Sequence, residues 1–323
     1  MTHMRTGSGR TAKTVAAVIF TTVLAVTAAA CGGSGPDVPR VFGLSSEGPE
    51  SGVDTALATA QTLDRPLDVI NFFEAWAWEQ PLDVDVLHKI DDAGVMPAVT
   101  WEPWNPQNDP TATEFRPSRI AAGEFDDYIR SWATAAAQFG KPMQIRFGHE
   151  MNGTWYPWAV GVGGNTAADF VSAYRHVHDI FMSSGATKVQ WVWSFDSSSR
   201  RDGALDTAAS TYPGDTYVDV IGIDGYNGGA AGEFWQSPQD LFGRAIDMAD
   251  RVGNGKPVWI YETGSGDTLG DKAQWIRDLF SYLSSTSVRG VLWFDFSKAG
   301  EANWLLDSSD DTLQAAKDAL TSW

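Results

Sequence analysis

The sequence predicts one α/β domain, a (β/α)8 barrel that occupies residues 40–323. Two observations predict it. Eight short and nearly continuous apolar segments, typical of strands buried on both faces, recur along the chain, and helical segments separate them. Eight such units in about 280 residues are typical of a closed parallel barrel. The predicted strands are 40–45, 67–76, 95–104, 142–151, 188–196, 218–227, 257–265 and 288–296.

The segments between the strands have the amphipathic pattern of helices. Clear examples are 84–94, 125–140, 167–185 and 273–285. Three of these segments end in glycine, at Gly94, Gly140 and Gly185, and glycine is common where a helix ends. A doubly wound sheet would be expected to carry a glycine-rich phosphate-binding turn after an early strand, and none is present.

The N-terminus has the order of a secretory signal. Basic residues precede an uncharged apolar run, residues 14–30, which small residues and Cys31 follow. The run is short and rich in Ala and Thr for a membrane span. We therefore expect a signal peptide over 1–30, a lipid anchor on Cys31 with a tether over 31–39, and export to the outer face of the cell membrane. A plain cleaved signal followed by secretion is the alternative.

The composition excludes several classes of partner. Without residues 1–30 the chain has 20 Lys and Arg against 41 Asp and Glu, a net charge near −21. So negative a surface repels nucleic acid and anionic lipid, which leaves the lipid anchor as the expected membrane contact. The chain also has 15 tryptophans, and their flat faces suit the apolar faces of sugar rings. We expect a neutral ligand, no cofactor and a monomer.

Polar and aromatic residues collect where the predicted strands end. In a barrel these ends form one rim, and active sites are built on that rim. The residues of the predicted rim are Glu74, Trp76, Trp101, Glu102, His149, Glu150, Asp196, Asp224, Tyr226, Glu262, Trp293 and Asp295.

Two kinds of chemistry are disfavoured. The segment "HEMNG" begins like the zinc motif H-E-x-x-H, but Gly153 stands where the second histidine ligand would be. No G-x-S-x-G motif for a serine nucleophile is present, and the single cysteine, Cys31, is the expected anchor. We expect no metal.

A pair of carboxylates fits the rim better. Glu150 closes the fourth predicted strand and Glu262 the seventh, each directly after apolar sequence. Taken singly, each glutamate could be an ion-paired residue at a strand end. Two carboxyl groups facing each other across a cleft can act as proton donor and as nucleophile or base in the hydrolysis of a glycosidic bond.

Several blocks of the chain resemble glycoside hydrolase family 26, a family of retaining barrel glycosidases of the β-mannanase type. The blocks are "RFGHEMNGTWYPW", "WVWSFD", "DVIGIDGYN", "PVWIYETGS" and "GVLWFDF", and the resemblance runs from Val41 to the C-terminus. It implies that Glu150 is the general acid/base and Glu262 the nucleophile.

The resemblance also implies roles for other residues. It makes His149 a sugar ligand, Tyr226 the residue that positions the nucleophile, and Arg146 a support for both carboxylates. It places Trp155 and Trp293 as walls of the cleavage subsite and Trp101 near the leaving group. Beside these we expect substrate contacts from Asn152, Trp158 and Asp224.

The resemblance leads to one electrostatic expectation and leaves the substrate open. If the carboxyl groups lie about 5–5.5 Å apart, as retention requires, the Glu262 charge should raise the pKa of Glu150. The expected substrate is β-1,4-mannan or glucomannan. Tyr156 and Pro157 stand where mannanases of the family usually carry a Trp-Trp pair, so mixed-linkage β-1,3-1,4-glucan is the alternative, and a non-catalytic sugar-binding lipoprotein is a second one.

Overall fold

The computed structural model describes residues 39–323 except 47, 50, 109–110, 198–200 and 229–233. The predicted signal peptide and Cys31 lie outside the described residues, as does the tether except Pro39. Export and lipid anchoring therefore remain predictions from the sequence. None of the helices described in the chain is long and apolar enough to cross a membrane.

Eight parallel strands close into a barrel in sequence order, which confirms the predicted fold. The strands are β1 (Val41–Ser46), β2 (Val69–Ala75), β3 (Met96–Glu102), β4 (Met143–Phe147), β5 (Val189–Asp196), β6 (Val220–Asn227), β7 (Val258–Ser265) and β8 (Val288–Phe294). A short hairpin follows β8, formed by β9 (Ser297–Lys298) and β10 (Ala302–Asn303).

Helices lie between the strands and after the last one. They are α1 (Ser51–Leu63), α2 (Val84–Asp92), α3 (Pro117–Ala121), α4 (Asp126–Phe139), α5 (Ala167–Ser183), α6 (Ala204–Ser210), α7 (Pro238–Val252), α8 (Lys272–Ser284) and α9 (Asp310–Ser322). Local sequence signals explain their ends. Thr166 and Asp169 form a capping box at the start of α5, and Gly140 ends α4 in the left-handed conformation with φ 62°.

The strands separate two apolar cores. One lies inside the barrel and contains residues such as Val69, Ala98 and Leu292. The larger core lies between the strands and the helices. Because successive side chains of a strand point to opposite faces, the residue that follows an inner one belongs to the outer core. This alternation decides which rim residues can reach the cleft.

A break in this alternation in β7 positions a candidate catalytic residue. Ile223 pairs with Ile260 and Asp224 pairs with Glu262, so Tyr261 is an extra residue in the register, as in a β-bulge. Tyr261 donates a hydrogen bond to Gln144 inside the barrel at 2.8 Å, and Glu262 also faces the barrel axis, where it meets Arg146. In a regular strand Tyr261 and Glu262 would point to opposite faces.

Candidate active site

The strand β4 ends earlier than the sequence predicts, and this ending orients Glu150. The predicted strand runs to Met151, but β4 stops at Phe147 because the next residue, Gly148, has a φ of 55°. Glu150 itself is in the left-handed region with φ 52°, which costs a non-glycine residue energy. A hydrogen bond from its amide to the carbonyl oxygen of Ser194 at 3.0 Å holds the turn. The backbone strain is thus located at the candidate acid/base.

Trp155 folds back over the same turn. Its indole N–H donates to Oε2 of Glu150 at 2.6 Å, while its ring stays 43% exposed. A Cβ atom on Gly153 would lie only 2.6 Å from that ring. Gly153, which argued against a zinc motif, is therefore needed for the close packing of Trp155. Trp155 lies beside Glu150 as the sequence predicts.

Glu262 is held by two donors. Oε2 accepts a hydrogen bond and ion pair from the Arg146 guanidinium, and Oε1 accepts a hydrogen bond from the Tyr226 hydroxyl. Burial and then the Glu262 charge raise the pKa of Tyr226 well above its usual range, so the phenol keeps its proton. The two donors occupy both oxygens and fix the direction of the Glu262 carboxyl group.

Arg146 is fully buried and connects the cleft to the wall of the barrel. Its guanidinium also pairs with Asp224 at 2.9 Å and donates to the Thr100 hydroxyl at 2.9 Å. One permanent positive charge thus serves two buried carboxylates. A buried cation with this set of partners is costly to leave incomplete.

Glu150 is electrostatically different from Glu262. Burial is the main cause that raises its pKa well above the usual range, and the charges of Asp224, Asp196 and Glu262 follow. The sequence predicts an increase in the pKa of Glu150, and the structure agrees with that direction. The sequence names the Glu262 charge as the cause, whereas burial is the larger cause. No basic side chain forms an ion pair with Glu150 in the part of the chain that the structure describes. A protonated carboxyl group beside an ionised one is the arrangement that acid-assisted cleavage needs.

His149 is a neutral residue beside Glu150. Burial is the main cause that lowers its pKa well below the usual range, and Arg146 and Lys298 act in the same direction. Its Nε2 lies 3.1 Å from the Tyr156 hydroxyl, and its carbonyl oxygen accepts a 2.6 Å hydrogen bond from the Trp158 indole. Trp158 is buried and stacks on Tyr156, so it supports His149 and does not offer a face for sugar stacking. The expected substrate contact by Trp158 is therefore corrected.

The structure also corrects the expected subsite wall Trp293 and the expected leaving-group contact of Trp101. Both side chains are 0% exposed in the outer core, where Trp101 stacks on Trp132 and Trp293 contacts Trp275. The cause is strand alternation, because their neighbours face the barrel interior. Trp304, which is 4% exposed, packs on Tyr226 with 4.9 Å between ring centroids. Trp304 follows the β9–β10 hairpin and ends no predicted strand, so the sequence reasoning missed it.

Asn152 and Asp224 are likewise structural in this geometry. The Asn152 amide exchanges hydrogen bonds with the backbone of Asp196 at 2.8 and 2.9 Å, which ties the end of β4 to the end of β5. Asp224 has no exposed surface and is occupied by Arg146 and the Ser194 hydroxyl. Neither side chain presents a free polar group to a ligand, so the expected substrate contacts by Asn152 and Asp224 are corrected.

Glu102 is a rim residue to which sequence reasoning gave no role. It ends β3, is 6% exposed and has a pKa raised to about 8, chiefly by burial. No group of three or more His, Cys, Asp or Glu side chains with metal-binding geometry occurs among the residues described. The cleft is thus a site with three glutamates and aromatic walls.

Comparison with known proteins finds similar glycosidases. A family model described as Glycosyl hydrolase family 26 matches residues 120–248. Endoglucanase H of Acetivibrio thermocellus is 34% identical over 279 residues, which are 83% of this chain and 29% of that protein. A mannan endo-1,4-beta-mannosidase of Bacillus subtilis strain 168 is 33% identical over 92 residues, 27% of this chain and 24% of that protein. The chain therefore spans less than a third of the length of endoglucanase H and less than a third of the length of the mannosidase.

Solved structures share the fold. A GH26 beta-mannanase from Bacteroides ovatus superposes with a TM-score of 0.65 at 18% identity over 88% of both chains. The catalytic domain of an endo-beta-1,4-mannanase from Bacillus sp. JAMB-750 gives a TM-score of 0.68 at 17% identity, over 88% of this chain and 86% of that one. The sequence blocks, the family model over residues 120–248 and the shared barrel agree, and the chain is similar to proteins of glycoside hydrolase family 26.

Proposed function

We propose that the protein is a retaining endo-β-glycanase that hydrolyses a neutral β-linked polysaccharide with Glu150 and Glu262. The single observation that carries the proposal is the difference between the two carboxyl groups. Glu262 accepts hydrogen bonds on both oxygens, from Arg146 and Tyr226, whereas burial raises the pKa of Glu150. Double displacement needs such a pair, one acid and one nucleophile.

The proposed reaction has two steps. In the first, Glu262 attacks the anomeric carbon, Glu150 gives its proton to the glycosidic oxygen, and the C–O bond to the leaving sugar breaks. In the second, Glu150, now a carboxylate, takes a proton from water as the water attacks the anomeric carbon and Glu262 leaves. Trp155 donates to Glu150 and favours its charged form, which the second step requires.

Two substrate classes are supported to different degrees. The alignment that covers most of this chain is with a protein named endoglucanase, which favours a β-glucan. Shorter alignments with proteins named mannan endo-1,4-beta-mannosidase favour the β-1,4-mannan or glucomannan that the sequence analysis expects. Glucomannan contains both sugars and is the best first substrate.

The test is reducing-sugar release from glucomannan, galactomannan and barley β-glucan. We expect wild type to release sugar from at least one polymer, and Glu150→Ala to release at least about 100-fold less, since the leaving group loses its proton donor. On an aryl β-glycoside whose leaving group needs no proton, added azide should restore turnover of Glu150→Ala and give a β-glycosyl azide. Absence of release from all three polymers by wild type would contradict the proposal.

A matched pair of tryptophans tests the support of Tyr226. We expect Trp304→Ala to lower kcat/KM on the cleaved polymer by about tenfold, because it removes the aromatic contact that holds Tyr226, the donor to Glu262, and such contacts contribute about 0.5–1.5 kcal/mol beyond area burial. Trp293→Ala should lower the unfolding temperature through a core cavity. It should leave the KM of the folded enzyme within about twofold of wild type. The reverse pattern would restore Trp293 as the subsite wall.

A further inference from the structure

Glu102 occupies an inward position at the carboxyl end of β3. Two residues before it in the strand, the Thr100 hydroxyl accepts from Arg146 and donates to Asn71 inside the barrel. By strand alternation Glu102 faces the same side, one step nearer the rim. Its side chain therefore lies in the cleft above Arg146.

The Glu102 carboxyl group has few protein partners. No ion pair involves it in the described chain, and Trp104 is the residue whose indole N–H faces it and lowers its pKa. That N–H is buried and forms no hydrogen bond of good geometry with any described residue. A backbone hydrogen bond of 2.8 Å from the Trp104 amide to the Glu102 carbonyl oxygen keeps the two side chains together. A buried indole N–H without a well-formed hydrogen bond, beside a carboxyl group that forms no ion pair, is expected to gain a partner from a ligand.

The charges around Glu102 decide its protonation state. Burial has the largest effect on the pKa of Glu102 and raises it to about 8. The Glu262 charge also raises this pKa, whereas the charges of Arg146 and Lys298 lower it. Glu102 is therefore protonated at pH 7, and a neutral carboxyl group both donates and accepts hydrogen bonds. A sugar hydroxyl does the same.

The surroundings of Glu102 are those of the candidate active site. The charges of Glu150, Glu102 and Glu262 all raise the pKa of Tyr156, which places the Tyr156 hydroxyl among the three glutamates. The same hydroxyl lies 3.1 Å from Nε2 of neutral His149, and the Tyr156 ring contacts Trp104 edge-on. The charged groups that act on the pKa of Glu102 are Arg146 of β4, Glu262 of β7 and Lys298 of β9, and Glu102 in turn raises the pKa of Tyr156 in the β4–α5 loop.

We propose that Glu102 and Trp104 form a hydroxyl-binding subsite of the cleft, in which the neutral Glu102 carboxyl group and the Trp104 indole N–H bind one hydroxyl group of the bound glycan. The indole donates to the hydroxyl oxygen, and the carboxyl group donates to or accepts from the same hydroxyl. This proposal rests on the proposed function and adds a third glutamate to it. Glu102 is a binding residue here, and it transfers no proton in the reaction.

Binding measured in a Glu150→Gln background tests the subsite, because this background keeps the glycan intact and removes one titrating carboxyl group. The probes are cellotetraose and mannotetraose, with affinity measured by isothermal titration calorimetry. At pH 6 we expect Glu102→Ala to weaken the binding of the preferred probe by about tenfold, the effect of one or two lost hydrogen bonds. Glu102→Gln retains a neutral donor and acceptor and should recover most of that loss.

The pH dependence separates binding from a merely structural role. Between pH 6 and 9 the parent protein, which keeps Glu102, should lose affinity for the oligosaccharide, because its carboxyl group ionises near pH 8 and stops donating. The protein that carries Glu102→Gln should lose less affinity over the same range. Burial also raises the pKa of Asp224 to about 8, but both proteins contain Asp224, so their difference reports Glu102. This pH comparison uses only the isosteric variant Glu102→Gln, so it tests the subsite even if Glu102→Ala fails to fold.

Glu74 provides the matched control. It is also a strand-end glutamate, 8% exposed, with a pKa raised to about 7 by burial and Asp83, but it faces the outer side of β2. Glu74→Gln should leave oligosaccharide affinity unchanged. If Glu102→Gln and Glu102→Ala bind like their parent across this pH range, the subsite is refuted while the proposed function stands. If the parent binds neither probe and wild type cleaves no polymer, the proposed function itself is wrong.

Discussion

Glu262→Gln should lower kcat on the cleaved polysaccharide by about 10³-fold or more, the largest effect expected of any single substitution in this protein. The amide retains the shape of the side chain and can still meet Tyr226, but it cannot displace the leaving sugar from the anomeric carbon. Initial rates of reducing-sugar release at matched folded protein concentration give the measurement. A rate within about tenfold of wild type would show that Glu262 is not the nucleophile.

A surface glutamate controls for the loss of a negative charge in this acidic protein. Glu124 pairs with Arg119 at 2.6 Å on the outside of the barrel. Glu124→Gln should leave kcat unchanged within about twofold, since exposed ion pairs contribute little. A 2-deoxy-2-fluoro glycoside with a good leaving group should label Glu262 covalently in wild type, and a peptide labelled elsewhere would contradict the assignment.

Arg146→Met should have the second largest effect and should act on both stability and activity. It removes the one positive charge shared by the buried carboxylates of Asp224 and Glu262. Removing one partner of a buried ion pair costs about 3–5 kcal/mol of the free energy of unfolding, and without its cation Glu262 is a poorer anion and nucleophile. Urea unfolding gives the first quantity, and kcat/KM gives the second.

The control for Arg146 is an arginine that pairs outside the barrel. Arg130 on α4 lies 2.6 Å from Asp126 and 3.1 Å from Asp127, with about half of its side chain exposed. Arg130→Met should cost less than about 1 kcal/mol of unfolding free energy and leave kcat/KM unchanged. An Arg146→Met enzyme with wild-type stability and activity would refute the role given to the guanidinium.

The pH optimum follows from the same groups. Glycosylation requires protonated Glu150, and burial raises the pKa of Glu150 in the folded enzyme. Activity is therefore lost as the pH rises through that elevated pKa. Burial raises the pKa of Glu102 from the ordinary value of 4.5 to about 8 in the folded protein. Between these two values the folded protein binds a proton that the unfolded protein has lost, so the free energy of unfolding falls as the pH rises.

The sequence by itself determined the eightfold order of strands and helices, because apolar runs, amphipathic segments and terminal glycines are local signals. It also predicts that Glu150 and Glu262 lie on one rim, since in a closed barrel the end of every parallel strand meets that rim.

Only the tertiary structure decided which face each rim residue takes. Trp101 and Trp293 stand at strand ends as Glu102 does, yet strand alternation turns their indoles into the outer core while Glu102 enters the cleft. The bulge at Tyr261 turns Glu262 inward, and the fold of the segment after β8 brings Trp304 to Tyr226. These features depend on strand register and on packing between distant segments. A pattern of residue types along one chain specifies neither, because it describes sequence neighbours and not the side of the sheet on which they lie.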